Sequence, residues 1–301
     1  MDVIANDLVS FVEIVTQNNQ EQFYHSTAHL QWAYRGQANV EWELLPSAFR
    51  NREDFLNENL YLRECMREMP NELQGNDYFD ILVKAQHYGI PTRLLDVTKN
   101  PLVALYFACI GEKEKDGCVY IFDKIAVFPQ DEPVFQIIMQ YLFELKIYDR
   151  WYPQHTVALT RLLEKQIHRH PALTSEKIEE ALKRQPSLLF TFPKISNDRI
   201  RAQQGGFAVF NTRLEYKKEG TSIQGRFWMP DEEWSGSNNR WSKIIIPANR
   251  KDDFLRDLNL LGINQSVLFP ELEKHAQYIV NNIRETNRAI NDRVAKKEID
   301  A

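Results

Sequence analysis

Leu8, Phe11, Val12 and Val15 recur at three- and four-residue steps, so residues 6–18 are read as an amphipathic helix. The polar stretch QNNQEQ closes it. An aromatic-rich run at 31–36, within QWAYRGQ, then reads as a strand leading into a Tyr-Arg-Gly turn. FLNENLYLRECMREMP predicts a helix. DYFDILVKAQHY at 77–88 predicts another, capped by Gly89 and prevented from continuing by Pro91. The short apolar centre of TRLLDVT places a strand at 92–97. NPLVALYFACI after it reads as a buried helix, with Asn100 as its cap and Pro101 in its first turn.

GCVYIFD, 117–123, is the clearest strand of the chain, bounded by Gly117 and rich in β-branched and aromatic residues. From about 125 to 197 helical periods take over (VFQIIMQYLFELKIY, HTVALTRLLEKQIH, SEKIEEALKR) and predict a helical insertion. Strands return at 205–211 and 242–247, followed by a helix, KDDFLRDLNLLG, ending at Gly262. From Glu271 onward, an apolar stripe through Leu272, Ile279, Ile283, Ile290 and Val294 predicts a long amphipathic C-terminal helix over 271–301. That stripe either packs on the insertion or pairs with a second copy as a homodimer. The pattern as a whole predicts an α+β fold, a mixed twisted sheet flanked by helices, with one domain over residues 1–275.

Composition adds bounds. A hydrophobic fraction of 43% and a charged fraction of 26% over 301 residues are those of a soluble globular protein. No run approaches the roughly 18 apolar residues of a membrane span, and the acidic start lacks a basic n-region, so no membrane partner is expected. Cys65, Cys109 and Cys118 are too few for a disulfide framework and point to a reducing cytoplasm. A net charge of −5 argues against a general nucleic-acid coat but leaves room for a local basic groove.

GxGxxG, P-loop, HExxH and GxSxG signatures do not occur. His25 and His29 are four residues apart but have no third ligand, and HRH at 168–170 diverges around a helix, so no metal is expected. Three segments carry the candidate chemistry. In YRGQ, Arg35 offers a planar fork to an anion and Gly36 admits a close approach; the alternative is a surface arginine in a hairpin. AQHYGIPTRLLDVTKN crowds His87, Thr92, Arg93, Asp96, Thr98 and Asn100 around a buried strand. There the alternatives are an Arg93–Asp96 pair with turn and cap residues, or a phosphate-bearing ligand at the following helix N-terminus. In RIRAQQGGF, the amides of Gln203 and Gln204 suit a ribose hydroxyl or a base edge, or else begin a polar hairpin.

In this order the segments resemble the FRG domain, a bacterial family named for its Phe/Tyr-Arg-Gly motif. YRGQ at 34–37, QHYGIPTRLLDVTKNPLVALYFA at 86–108, RIRAQQGGF at 199–207, KIIIP at 243–247 and LGINQSVLFPEL at 261–272 carry the resemblance. It covers roughly residues 28–275. The family is met in bacterial and phage-related contexts. A looser resemblance, to the ADP-ribosyltransferase fold, implies chemistry. In that fold an arginine on the first strand binds the NAD phosphates, a Ser/Thr strand shapes the nicotinamide pocket, and a later glutamate stabilises an oxocarbenium-like transition state. Arg35 matches the first element and Thr98 the second, while Gln203 or Gln204 stands where the glutamate would be.

The resemblance therefore implies NAD as substrate. Arg35, Gly36, Gln37, His87, Thr92, Arg93, Asp96 and Asn100 would bind it, and Arg35, Thr98, Gln203 and Gln204 would act on it. An amide cannot stabilise positive charge as a carboxylate does, so either Asp96 or Glu43 supplies that charge, or catalysis is weak, or the pocket only binds. The functions implied are an ADP-ribosyltransferase or NAD glycohydrolase serving as a toxin or phage-defence effector, with protein, nucleic acid or water as acceptor. The alternative is a sensor that binds a nucleotide or nucleic acid without turnover.

Overall fold

The computed structural model describes residues 3–23, 31–73, 77–125, 127–144, 188–193, 198–210, 214–219, 222–227 and 241–270. Its strands are β1 (Val3–Ile4), β2 (Gln31–Gln37), β3 (Leu94–Thr98), β4 (Gly117–Ile125), β5 (Leu188–Thr191), β6 (Gly205–Phe210), β7 (Leu214–Glu219), β8 (Ser222–Phe227) and β9 (Trp241–Ile246). Seven of them form one sheet in the order β1-β9-β4-β2-β3-β6-β5, while β7 and β8 pair with each other. The sheet is mixed because β1 runs parallel to β9, whereas the other neighbours are antiparallel. The helices are α1 (Leu8–Phe23), α2 (Arg52–Glu68), α3 (Pro70–Leu73), α4 (Tyr78–His87), α5 (Pro101–Cys109), α6 (Pro133–Glu144), α7 (Asp198–Gln203), α8 (Lys251–Leu260) and α9 (Gln265–Leu268).

Strand alternation divides the core. Val119 and Ile121 of β4 face α1, α5 and α8, whereas Cys118, Tyr120 and Phe122 face the segment that carries Leu45, Ala48 and Phe49. On β3 and β6, Leu94, Phe207 and Val209 pack with α4 and α6, while Leu95, Val97, Ala208 and Phe210 join the opposite cluster. Tyr34 pairs with Thr98, which puts the α5 cluster and the α4–α6 cluster on one side of the sheet, next to each other. The space between α4 and α5 is where the candidate site lies.

The five predicted strands are present, and β2 continues through Gly36 to Gln37 instead of turning there. Gly36 is required for a different reason. A Cβ on it would sit 1.8 Å from the Ala104 carbonyl oxygen and 2.7 Å from the Ala108 nitrogen, because the backbone of α5 lies directly on β2. Gly36→Ala is expected to destabilise by about 3 kcal/mol, at or above the upper end of ordinary overpacking, since helix backbone cannot yield as a side chain can. A denaturant titration reads this as a lowered midpoint. Beyond β2, the buried Lys251 ammonium donates to the carbonyls of Ala38 (2.6 Å) and Glu112 (2.9 Å), fixing both loops.

Two further expectations change. Helix α1 runs on through QNNQEQ to Phe23, so that polar stretch does not close it. Residues 188–191, expected to be helical, form edge strand β5, because Leu188 and Phe190 are buried on one face and Leu189 on the other. A four-residue run buried on both faces carries no period to read. Strand β1 is too short to have left a signal. Of the expected insertion, α6 is a helix, while residues 145–187 lie outside the described residues, as do His25, His29 and the tail 271–301. No helix among the described residues is long and apolar enough to cross a membrane.

Candidate functional site

A cavity of about 340 Å³ lies between α4 and α5, over β2, β3 and β6. That is the lower end of the range for small-molecule sites. Val83, Val103, Ala104, Phe107 and Phe207 give it apolar walls, and Arg35, Gln86, His87, Asp96, Thr98, Arg199 and Gln203 supply polar groups.

Arg35 reaches it through a gap in the sheet. Tyr34 and Gly36 face α5, so alternation sends the Arg35 side chain the other way. The register between β2 and β3 consists of the pair Tyr34–Thr98, after which the strands part. The guanidinium enters that opening, and Nη1 donates to the Asp96 carbonyl oxygen at 2.7 Å. Nε is buried and, among the described residues, has no acceptor. Burial lowers the Arg35 pKa, and the nearby Asp96 carboxylate works against that.

Asp96 has the accessible area of an exposed residue, yet that area belongs to a cavity wall with protein on several sides. Burial therefore raises its carboxyl above the ordinary value despite the opposing pull of Arg35 and Arg199. A short chain of bonds orients it. The Thr92 hydroxyl donates to Gln86 Oε1 at 2.6 Å, and Gln86 Nε2 donates to Asp96 Oδ1 at 2.9 Å. Thr92 is fully buried, so Gln86 is held from behind.

Thr98 closes the other end, its hydroxyl donating to the Gln203 carbonyl at 2.7 Å and accepting from Asn100 N–H at 3.0 Å. The Gln203 side chain turns away from the cavity polar groups, with Nε2 donating to the Leu268 carbonyl at 2.9 Å. Arg199 lies 5.2 Å from the Phe269 ring centroid.

Residues 30–117 match the family model of the FRG domain. The chain carries an FRG domain. No curated protein and no solved structure matches it significantly. The matched FRG stretch supplies Arg35, Gly36, Gln86, His87, Asp96 and Thr98 to the cavity, while Arg199, Gln203 and the β6 wall lie beyond it.

Of the residues singled out in the sequence, Arg35, Gly36, His87, Asp96, Thr98 and Gln203 line this cavity. The others have different surroundings. Arg93 is 1% exposed and paired with the fully buried Glu58 on α2, not with Asp96 and not with a ligand. Asn100 caps α5, accepting from Leu102 N–H at 3.0 Å. Buried Gln37 donates to the Glu43 carbonyl at 3.3 Å, and Thr92 acts through Gln86. Gln204 takes a left-handed φ of 46° and uses its backbone carbonyl to hold Lys99 N–H at 3.1 Å. The glycines after it do not make room for a ligand at Gly206: a Cβ there would lie 2.3 Å from the Phe192 ring. Gln86 and Arg199 begin the motif stretches 86–108 and 199–207, yet a glutamine on a helix and an arginine in a polar run are too commonplace to stand out within them.

Proposed function

We propose that the cavity binds a nucleotide of the NAD class and breaks its nicotinamide–ribose bond, as an ADP-ribosyltransferase or NAD glycohydrolase does. The observation that carries this reading is the convergence of Arg35 and Asp96, a guanidinium and a carboxyl with a raised pKa, in one walled cavity. An arginine with an unpartnered buried Nε is a costly arrangement for a purely structural role. Arg35, together with Arg199 of the same cavity, would take the phosphates through charge-assisted bonds. The apolar walls suit a base or the nicotinamide ring.

Asp96, in place of the missing glutamate, would stabilise the cationic sugar as the C1′–N bond breaks and its electron pair leaves with nicotinamide. Water or an acceptor group then bonds to C1′ and gives up its proton to the Asp96 carboxylate. In a cell such an activity would consume NAD, which fits a toxin or phage-defence effector. A second reading, a sensor that binds without turnover, is favoured by the Gln203 amide, which is committed to the Leu268 carbonyl.

Incubation with NAD while following nicotinamide separates the two. Release is expected, with a rate that rises with pH as Asp96 ionises, over a range above that of an ordinary aspartate. Asp96→Asn should release little and lose that pH dependence. Binding with no release at any pH would leave the sensor reading. The same raised pKa means that folded Asp96 holds its proton more tightly than unfolded Asp96. Wild-type stability should therefore fall as pH rises from about 3.8 through the raised value. The Asp96→Asn variant should lack that slope.

A further inference from the structure

A second cavity, of about 250 Å³, adjoins the first through the gap between β2 and β3. Arg35, Gln86 and Asp96 line both, while Pro46, Ser47 and Arg50 belong to the second. The wall between the two is therefore made of the proposed phosphate-binding Arg35, the proposed reacting Asp96 and the Gln86 that orients it. The charges in the second cavity do not balance: Arg35 and Arg50 lie near enough to Asp96 for both to lower its carboxyl, and near enough to each other for Arg50 to depress Arg35. Two guanidiniums face one carboxyl. Among the described residues only the Leu45 carbonyl accepts from the Arg50 side chain, through Nε at 3.4 Å, so Nη1 and Nη2 keep their donors. The Ser47 hydroxyl is engaged with Thr92, accepting from its N–H at 3.1 Å, so Arg50 is the principal donor on that side.

We propose that the second cavity is a phosphoryl subsite, with Arg50 as the residue that grips the phosphate from the side away from α5. The proposal rests on the nucleotide reading of the first cavity and extends it to a ligand group arriving beside Asp96 from across the sheet. A forked guanidinium with free terminal nitrogens matches phosphate oxygens in a way that a single ammonium would not. The phosphate belongs either to a separate acceptor molecule or to the far half of the same dinucleotide.

The test is calorimetric titration of the full chain with inorganic phosphate, with Arg50→Gln and Arg67→Gln as a matched pair. Arg67 is an exposed arginine of α2, so its replacement makes the same charge change at a distance from both cavities. Phosphate affinity is expected to fall about tenfold or more in Arg50→Gln and to stay near wild type in Arg67→Gln. NAD titration of the same proteins reads the first cavity separately, so a failure of the nucleotide reading is told apart from a failure here. If NAD affinity survives Arg50→Gln and phosphate still binds in saturating NAD, the phosphate comes from a separate acceptor. If NAD affinity falls with it and NAD displaces phosphate, the subsite holds the dinucleotide's own phosphate. Absence of phosphate binding to wild type, or an equal loss in both variants, overturns the proposal.

Discussion

Glu58→Ala is expected to lower stability by about 3–5 kcal/mol, because it leaves the Arg93 guanidinium buried without its counter-charge. Glu58 is 0% exposed and Arg93 1%. The carboxylate of Glu58 accepts from Arg93 N–H at 2.8 Å and from Nε at 3.0 Å, and also pairs with Nη2. Through this pair α2 is tied to the start of β3, and Arg93 backbone oxygen in turn accepts from Phe210 N–H at the end of β6. The loss should appear as a lower denaturant midpoint with nearly unchanged slope. Replacing both partners together, Glu58→Met with Arg93→Met, should recover most of it, since the cost lies in the stranded charge more than in the missing bond. A small effect of Glu58→Ala would mean that water reaches the pair.

That ion pair also marks where the sequence stops being legible. Strands at 31–36, 117–123 and 242–247 can be read because aromatic and β-branched runs are bounded by turn residues, and the cap of α5 because Asn100 and Pro101 have only one sensible arrangement. Partner choice has no such local mark. Asp96 lies three residues from Arg93 and invites pairing, but Arg93 precedes β3 while Asp96 sits within it on the cavity side, and the partner is Glu58, thirty-five residues away on a helix. The same holds for the site. The motif text identifies Arg35, Asp96 and Thr98 as polar groups on strands, but only the sheet register shows that β2 and β3 part beside Arg35 and let it through. Gln203 and Gln204 illustrate the converse. Their amides look suited to a ligand, while the structure uses one on the Leu268 carbonyl and the other residue for its left-handed backbone. Lys251, a lysine in the first turn of α8, is fully buried on loop carbonyls, which nothing in the residues around it marks.

The second large effect concerns Arg35, and it bears on the central claim that the cavity between α4 and α5 is a nucleotide site. Arg35→Ala removes a guanidinium whose one bond to a described residue is to the Asp96 carbonyl, and whose Nε makes none. Folding should therefore suffer far less than in Glu58→Ala. Loss of charge-assisted bonds to a phosphate should cost about 1.5–3 kcal/mol for each bond, or roughly ten- to more than a hundred-fold in affinity. The decisive measurement is NAD titration of wild type and Arg35→Ala beside their thermal unfolding. Binding to wild type is expected, weakened at least about tenfold in the variant, with a small change in Tm. A large fall in Tm with NAD affinity unchanged, or no NAD binding to wild type, would contradict it.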